Sequence, residues 1–271
     1  MSFYEQNFKH LKIEKKNHQL WLALNNPEQS NAITPEMIES LCEVLQHADF
    51  DREVRVIVLT GEGKNFCSGG DVKAMAEKSG MFAGESNELR MRYAHGIQRI
   101  PKTIEDLSTP LIAMVNGAAI GAGCDLAMMC DLRVGNSGTK FGETFSRIGL
   151  VPGDGGSFFL QRVVGYAKAM EMTLTGDIYE GERAMSYGLL NILAEESKFK
   201  LETEKLAEKI AKNAPVSQAM AKKALKISYL HDLQTSLDLL AAYQGIAQRT
   251  ADHFSALEAA KEKRSPDFQG V

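Results

Sequence analysis

With 271 residues, 44% hydrophobic and 24% charged, the chain has material for one large domain or two small ones with ample core. A formal net charge of -4 without any sustained Lys/Arg stripe excludes a nucleic-acid binder that works by neutralising phosphates. Cys42, Cys67, Cys124 and Cys130 lack metal-ligand spacing, the N-terminus lacks a signal-peptide core, and no apolar run approaches bilayer length, so the expectation is a cytoplasmic protein with reduced thiols, no metal and no membrane.

In chain order, Leu11 to Ile13 and Gln19 to Leu24 (QLWLAL) predict strands, the second ended by Asn25-Asn26-Pro27. Thr34 followed by Pro35 predicts a capped helix start, with Met37, Leu41, Val44 and Leu45 as its apolar stripe. Val54 to Leu59 predicts a buried strand that empties into Thr60 to Gly70 (TGEGKNFCSGG), after which Asp71 is placed to cap a helix at Val72 to Met75. Residues 78 to 90 carry no period and read as a mobile surface segment. A helix from about Asn87 to Asp106 follows, with Pro101 expected to break or kink it.

Leu111 to Val115 repeats the strand signal and runs into a loop holding Gly117, Gly121 and Gly123, with a short apolar helix starting near Cys124. A loop that poor in side chains lets a ligand approach the backbone, and the helix behind it presents free N–H groups at its positive end. Asp125 stands at that helix start, either as a cap or as an acid facing a developing anion. Weak strands follow at Leu132 to Val134 and Lys140-Phe141, and a third glycine turn at Gly149 to Gly156 leads to helices at 158–164, 166–174 and 182–190. Ile192 to Ala194 is a last short strand.

From Ser197 the composition turns helical, with helices at 198–212, 217–228, 233–251 and 254–264. Their stripe of Leu233, Leu237, Leu240 and Tyr243 must be buried against the core or a neighbouring subunit. The division is therefore an α/β core over residues 1–195 and a helical region over 196–271.

Phe66 to Met75 (FCSGGDVKAM), Ala113 to Asp131, and Phe141-Gly142 through Pro152 together resemble the enoyl-CoA hydratase/isomerase (crotonase) superfamily, and the similarity runs from about Leu20 to Phe268. The resemblance implies a crotonase-like spiral of ββα turns and self-association as a trimer or dimer of trimers. It also implies an acyl-CoA thioester bound between core and tail, with coenzyme A as part of the substrate and no separate cofactor. Oxyanion donors are implied at the amides of Gly70 and Ala122, with Ser68, Gly69, Asp71, Val72, Lys73 and Gly121 along the substrate on a strand of residues 68 to 73. Lys73, Lys263 and Arg264 are the cations placed to meet the cofactor's negative charge, and residues 78 to 95, with Arg90, Arg92 and Tyr93, to cap the acyl end.

The acid–base positions depart from the family pattern. Asp125 falls at the first glutamate position and Phe145 at the second, where no proton can be transferred. Asp154 and Glu143 are the carboxylates that stand nearby to compensate. Hydration of a 2-enoyl-CoA is the leading expectation, double-bond isomerisation with one carboxylate the alternative, and a non-catalytic acyl-CoA-binding scaffold the alternative of another class. A peptidase using Ser68 and His95 lacks a Gly-x-Ser-x-Gly elbow.

Overall fold

The computed structural model describes residues 3–271. Strands β1 (Leu11–Lys16) and β2 (Gln19–Leu24) form an antiparallel hairpin, closed by Asn17 and His18, both with positive φ as a two-residue turn of matching twist requires. Helix α1 (Pro35–Phe50) follows, and the Thr34 hydroxyl accepts from Met37 N, as the sequence predicts. Next come β3 (Val56–Gly61), α2 (Val72–Ala76), α3 (Ser86–His95) and α4 (Arg99–Asp106).

Three points here differ from the sequence reading. Residues 68–71 are irregular backbone that passes into α2, so the expected substrate-lining strand over 68 to 73 does not form. The single helix expected over 87 to 106 is broken at Gly96 to Gln98 instead of at Pro101. Pro101 sits in the first turn of α4, where a missing N–H forfeits no intrahelical bond. The segment expected to be shapeless holds a single turn at Gly80–Phe82 and a capping box between Glu85 and Glu88 that starts α3.

The chain continues through β4 (Leu111–Val115), β5 (Ala118–Ile120), α5 (Ala122–Met129), β6 (Leu132–Gly135), β7 (Lys140–Gly142), α6 (Gly156–Val164), α7 (Tyr166–Thr175), β8 (Ile178–Glu180), α8 (Gly181–Tyr187) and β9 (Ile192–Leu193). Helices α9 (Phe199–Ala211), α10 (Pro215–Ser228), α11 (Leu233–Ala247) and α12 (Ala251–Glu262) complete it. The large sheet runs β1-β2-β3-β4-β6-β9, parallel from β2 onward; the small one runs β5-β7-β8. Each spiral turn gives a strand to the large sheet, a shorter one to the small sheet, then a helix: β4-β5-α5, then β6-β7-α6. Cys67 contributes a single bridge to Ala119 in the equivalent place after β3.

Both faces of the large sheet are covered at its centre, which is why β2, β3 and β4 read as largely apolar runs. Leu20, Leu22, Leu24, Ile57, Leu59 and Leu111 face α1, α4 and α5; Trp21, Val56, Val58, Ile112 and Val134 face α9. The first tail helix thus closes the core. α10 is tied on by Lys222, which donates to Thr109 O and pairs with Asp131 at 2.6 Å, and by Lys226 to the carbonyls of Ile104 and Glu105. No helix among the described residues is long and apolar enough to cross a membrane.

Candidate active site

The loop after β3 and the turn between β5 and α5 meet at one cavity. Cys67 N donates to Ala118 O, and Ile120 N donates back to Cys67 O, both at 3.0 Å, so the loop is pinned along β5. A trans peptide points its N–H opposite to its carbonyl. The Gly69 carbonyl is turned away to accept from Ile33 N at 2.8 Å, which leaves the Gly70 N–H facing the cavity. By the same rule the Gly121 carbonyl accepts from Asp125 N within the first turn of α5, so the Ala122 N–H points out of the helix N-terminus.

Gly121 has φ 54 and ψ -124, a conformation open to glycine and closed to almost every other residue. A Cβ built on Gly69 would stand 3.2 Å from Ala122 N, which measures how closely the two turns approach. Among the described residues neither the Gly70 nor the Ala122 N–H donates to the protein. Two unspent amides line one cavity, and α5 adds its dipole behind the second.

That cavity has a volume of about 160 Å³, and aliphatic, aromatic and thioether side chains dominate its walls. Ser68, Gly70, Val72, Gly121, Ala122 and Phe145 line it. Asp154 is the only acidic residue that lines it, and its carboxyl oxygens are shielded from solvent. Asp125 and Glu143 are not on its surface, which corrects the expectation that Asp125 faces the substrate as the principal acid. Its side chain is one methylene shorter than the family glutamate and is packed against Gly156, where an added methyl would overlap both carboxylate oxygens.

Asp125, Glu143 and Asp154 instead form a buried cluster. All six of their carboxyl oxygens are shielded from solvent, and outside the cluster only the Cys124 thiol beside Glu143 and the backbone of Asp154 beside its own carboxyl stand as donors. Asp125 lies within hydrogen-bonding reach of both other carboxyls, and such a contact bonds only when one partner carries a proton. Burial, followed by the charges of Glu143 and Asp154, pushes Asp125 well above the ordinary carboxylate range. Burial also raises Glu143 and Asp154, and the hydrogen bond each shares with Asp125 opposes the rise. The cluster as a whole is therefore held partly protonated, and Asp125 is not the helix cap: the cap position is Gly121, and Asp125 stands in the fourth helical position.

The remaining expected residues separate. Asp71 caps α2 through Ala74 N, and Gly69 lies behind the cavity wall. Lys73 is exposed beside Glu77, Arg264 pairs with Glu258 and Glu262, and no residue after Asp154 lines the cavity, so the described structure puts no tail residue on it. Tyr93 does line it, whereas Arg90 and Arg92 do not. The Ser68 hydroxyl donates to Gln29 O, and His95 is absent from the lining, so no nucleophile–base pair is assembled there. Met81 and Phe82 line the cavity from within the stretch 78 to 95 expected to cap the acyl end, whereas Met75 and Ile97 are lining residues that sequence reasoning passed over. In that stretch the signal was an apolar Met81-Phe82 pair in otherwise polar, aperiodic surroundings.

A family model described as enoyl-CoA hydratase/isomerase matches residues 14–271. The chain belongs to this family. It is 32% identical to 1,2-epoxyphenylacetyl-CoA isomerase of Escherichia coli K12, over 92% of this chain and 94% of that one. To (E)-benzylidenesuccinyl-CoA hydratase of Thauera aromatica it is 33% identical, over 96% and 98%. Among solved structures, an enoyl-CoA hydratase from Bacillus anthracis superposes with a TM-score of 0.90 at 29% identity, covering 97% of this chain and all of that one. Membership makes the chain an enzyme of the enoyl-CoA hydratase/isomerase type with the crotonase fold.

Proposed function

We propose that the enzyme binds an enoyl-CoA thioester with its carbonyl oxygen on the Gly70 and Ala122 amides and moves a proton between two carbons of the acyl group through Asp154. Coenzyme A enters as part of the substrate. Removing a proton conjugated with the thioester gives a dienolate, whose oxygen carries the new charge; each oxyanion donor is worth roughly 3 kcal/mol there. One carboxyl can take the proton from the γ-carbon and return it to the α-carbon, which shifts the double bond without any net gain or loss of atoms. The observation that carries this reading is that Asp154 is the only acidic residue lining the cavity, with Phe145 at the family's second glutamate position.

Hydration is the second reading, favoured by the relatives named hydratases. It needs a water held against the β-carbon, and the walls around Asp154 are mainly apolar. Mass spectrometry of products from a panel of 2- and 3-enoyl-CoA thioesters separates the two. Unchanged mass with a moved double bond supports isomerisation, and a gain of one water supports hydration. Turnover of none of them overturns both. We further propose that the exposed leucine face of α11 mediates self-association as trimers or paired trimers.

A further inference from the structure

Each reactive part of the site is flanked by a flat or polarisable side chain. A Cβ on Gly70 would run into the Met75 methyl and come within 3.5 Å of the Phe82 ring edge. One built on Gly121 would stand 3.7 Å from the Phe145 ring. Tyr93 lies against Gly153, 3.3 Å from where a Cβ would be, and its phenol is raised by burial and then by the charge of Asp154. Aromatic rings therefore stand beside both oxyanion amides and beside the acid, and Met75 and Met81 fill the gaps between them.

The cavity holds about 160 Å³, and an apolar cavity of roughly 150 Å³ accommodates one benzene ring. A planar conjugated group can meet ring faces and edges and methionine sulfur at favourable geometry.

We propose that the acyl group taken by this site carries a single flat ring next to the reacting carbons, gripped by Phe82, Tyr93 and Phe145, in preference to a long straight chain. The inference rests on the thioester reading above and names its substrate class. A representative substrate is 4-phenylbut-2-enoyl-CoA: its C4 proton is both γ to the thioester and benzylic. Transfer of that proton to C2 gives 4-phenylbut-3-enoyl-CoA, with atoms and charge balanced.

The test compares kcat/KM for 4-phenylbut-2-enoyl-CoA, 2-octenoyl-CoA and 2-dodecenoyl-CoA. Alongside it, calorimetric affinities are measured for the unreactive 4-phenylbutanoyl-CoA and dodecanoyl-CoA. Expected are at least about a tenfold preference for the ring over the dodecenoyl ester and tighter binding of the saturated ring ester. Phe82→Ala should narrow that preference by opening the wall. Equal or better use of the dodecenoyl ester overturns the inference and leaves the thioester reading standing. Absence of turnover together with tighter binding of the ring ester overturns the reaction and upholds the acyl class; absence of turnover with no ring preference in binding overturns both.

Discussion

In the proposed reaction Asp154 and Asp125 divide the work of one acid. Asp154 lines the cavity with Asp125 behind it, and the cluster they form with Glu143 holds a proton because three buried carboxyls cannot all ionise together. Replacing Asp154 with Asn should lower kcat by about 10²- to 10⁴-fold, with the circular dichroism spectrum unchanged. Asp125→Asn should act differently. Its amide donates to Asp154 permanently and carries no charge, so the Asp154 carboxyl titrates at lower pH and the acid limb of the kcat/KM profile moves down. The same variant reports on stability. A carboxyl whose folded-state pKa is raised stabilises fully below its unfolded value, near 4, and that contribution fades as pH climbs toward the folded value. Asp125, Glu143 and Asp154 are all raised. Wild type should therefore lose thermal stability as pH rises above about 4, and Asp125→Asn should lose less, melting higher than wild type at pH 8. An unmoved acid limb together with equal melting curves would remove the cluster from the mechanism.

Close approach of elements, more than any side chain, brings the Gly70 and Ala122 amides to one cavity. α5 packs so tightly on the loop after β3 that a methyl on Gly123 would overlap the Cys67 carbonyl. Gly123→Ala should accordingly destabilise the fold by about 1–3 kcal/mol and reduce activity in the surviving fraction, read by urea unfolding and by initial rates on the same preparation. This device was legible in the sequence, because Gly69-Gly70 and Gly121 to Gly123 each follow a strand and precede a helix. So were the Thr34 and Asp71 caps, whose hydroxyl and carboxylate bond the third residue onward as local chemistry demands. What local chemistry could not reveal was the depth of Asp125. That depends on Gly156, thirty-one positions along the chain by residue number, crossing directly over its carboxylate. The three-residue strands β5 and β8 escaped notice for a related reason: their pairing partners lie in other turns of the spiral. At Gly96 the break between α3 and α4 won over Pro101, since proline is harmless in a first turn.

At the scale of the molecule, the tail has two faces with different duties. α9 seals the sheet, and Arg162 links core to tail, its guanidinium stacked 3.3 Å from the Phe158 ring centroid and 5.2 Å from that of Tyr229. α11 turns only Ser236 fully inward, while Leu233, Leu237 and Leu240, spaced along one side of the helix, stay exposed at 74%, 49% and 40%. Leu225, Tyr229 and Leu230 extend the apolar area at the end of α10. Burying each such leucine is worth roughly 1.5–3 kcal/mol, and contiguous apolar surface of this kind marks a protein–protein contact. The wild-type enzyme should therefore run in light scattering at three or six times the chain mass. Leu237→Glu places a charge in the middle of the stripe, where desolvating it in a contact is costly, and leaves the core untouched. It should shift the same preparation toward monomer at unchanged helicity. A wild-type mass of one chain would refute the contact, whereas a monomeric variant that keeps its kcat would show that each chain carries a complete acid and oxyanion pair.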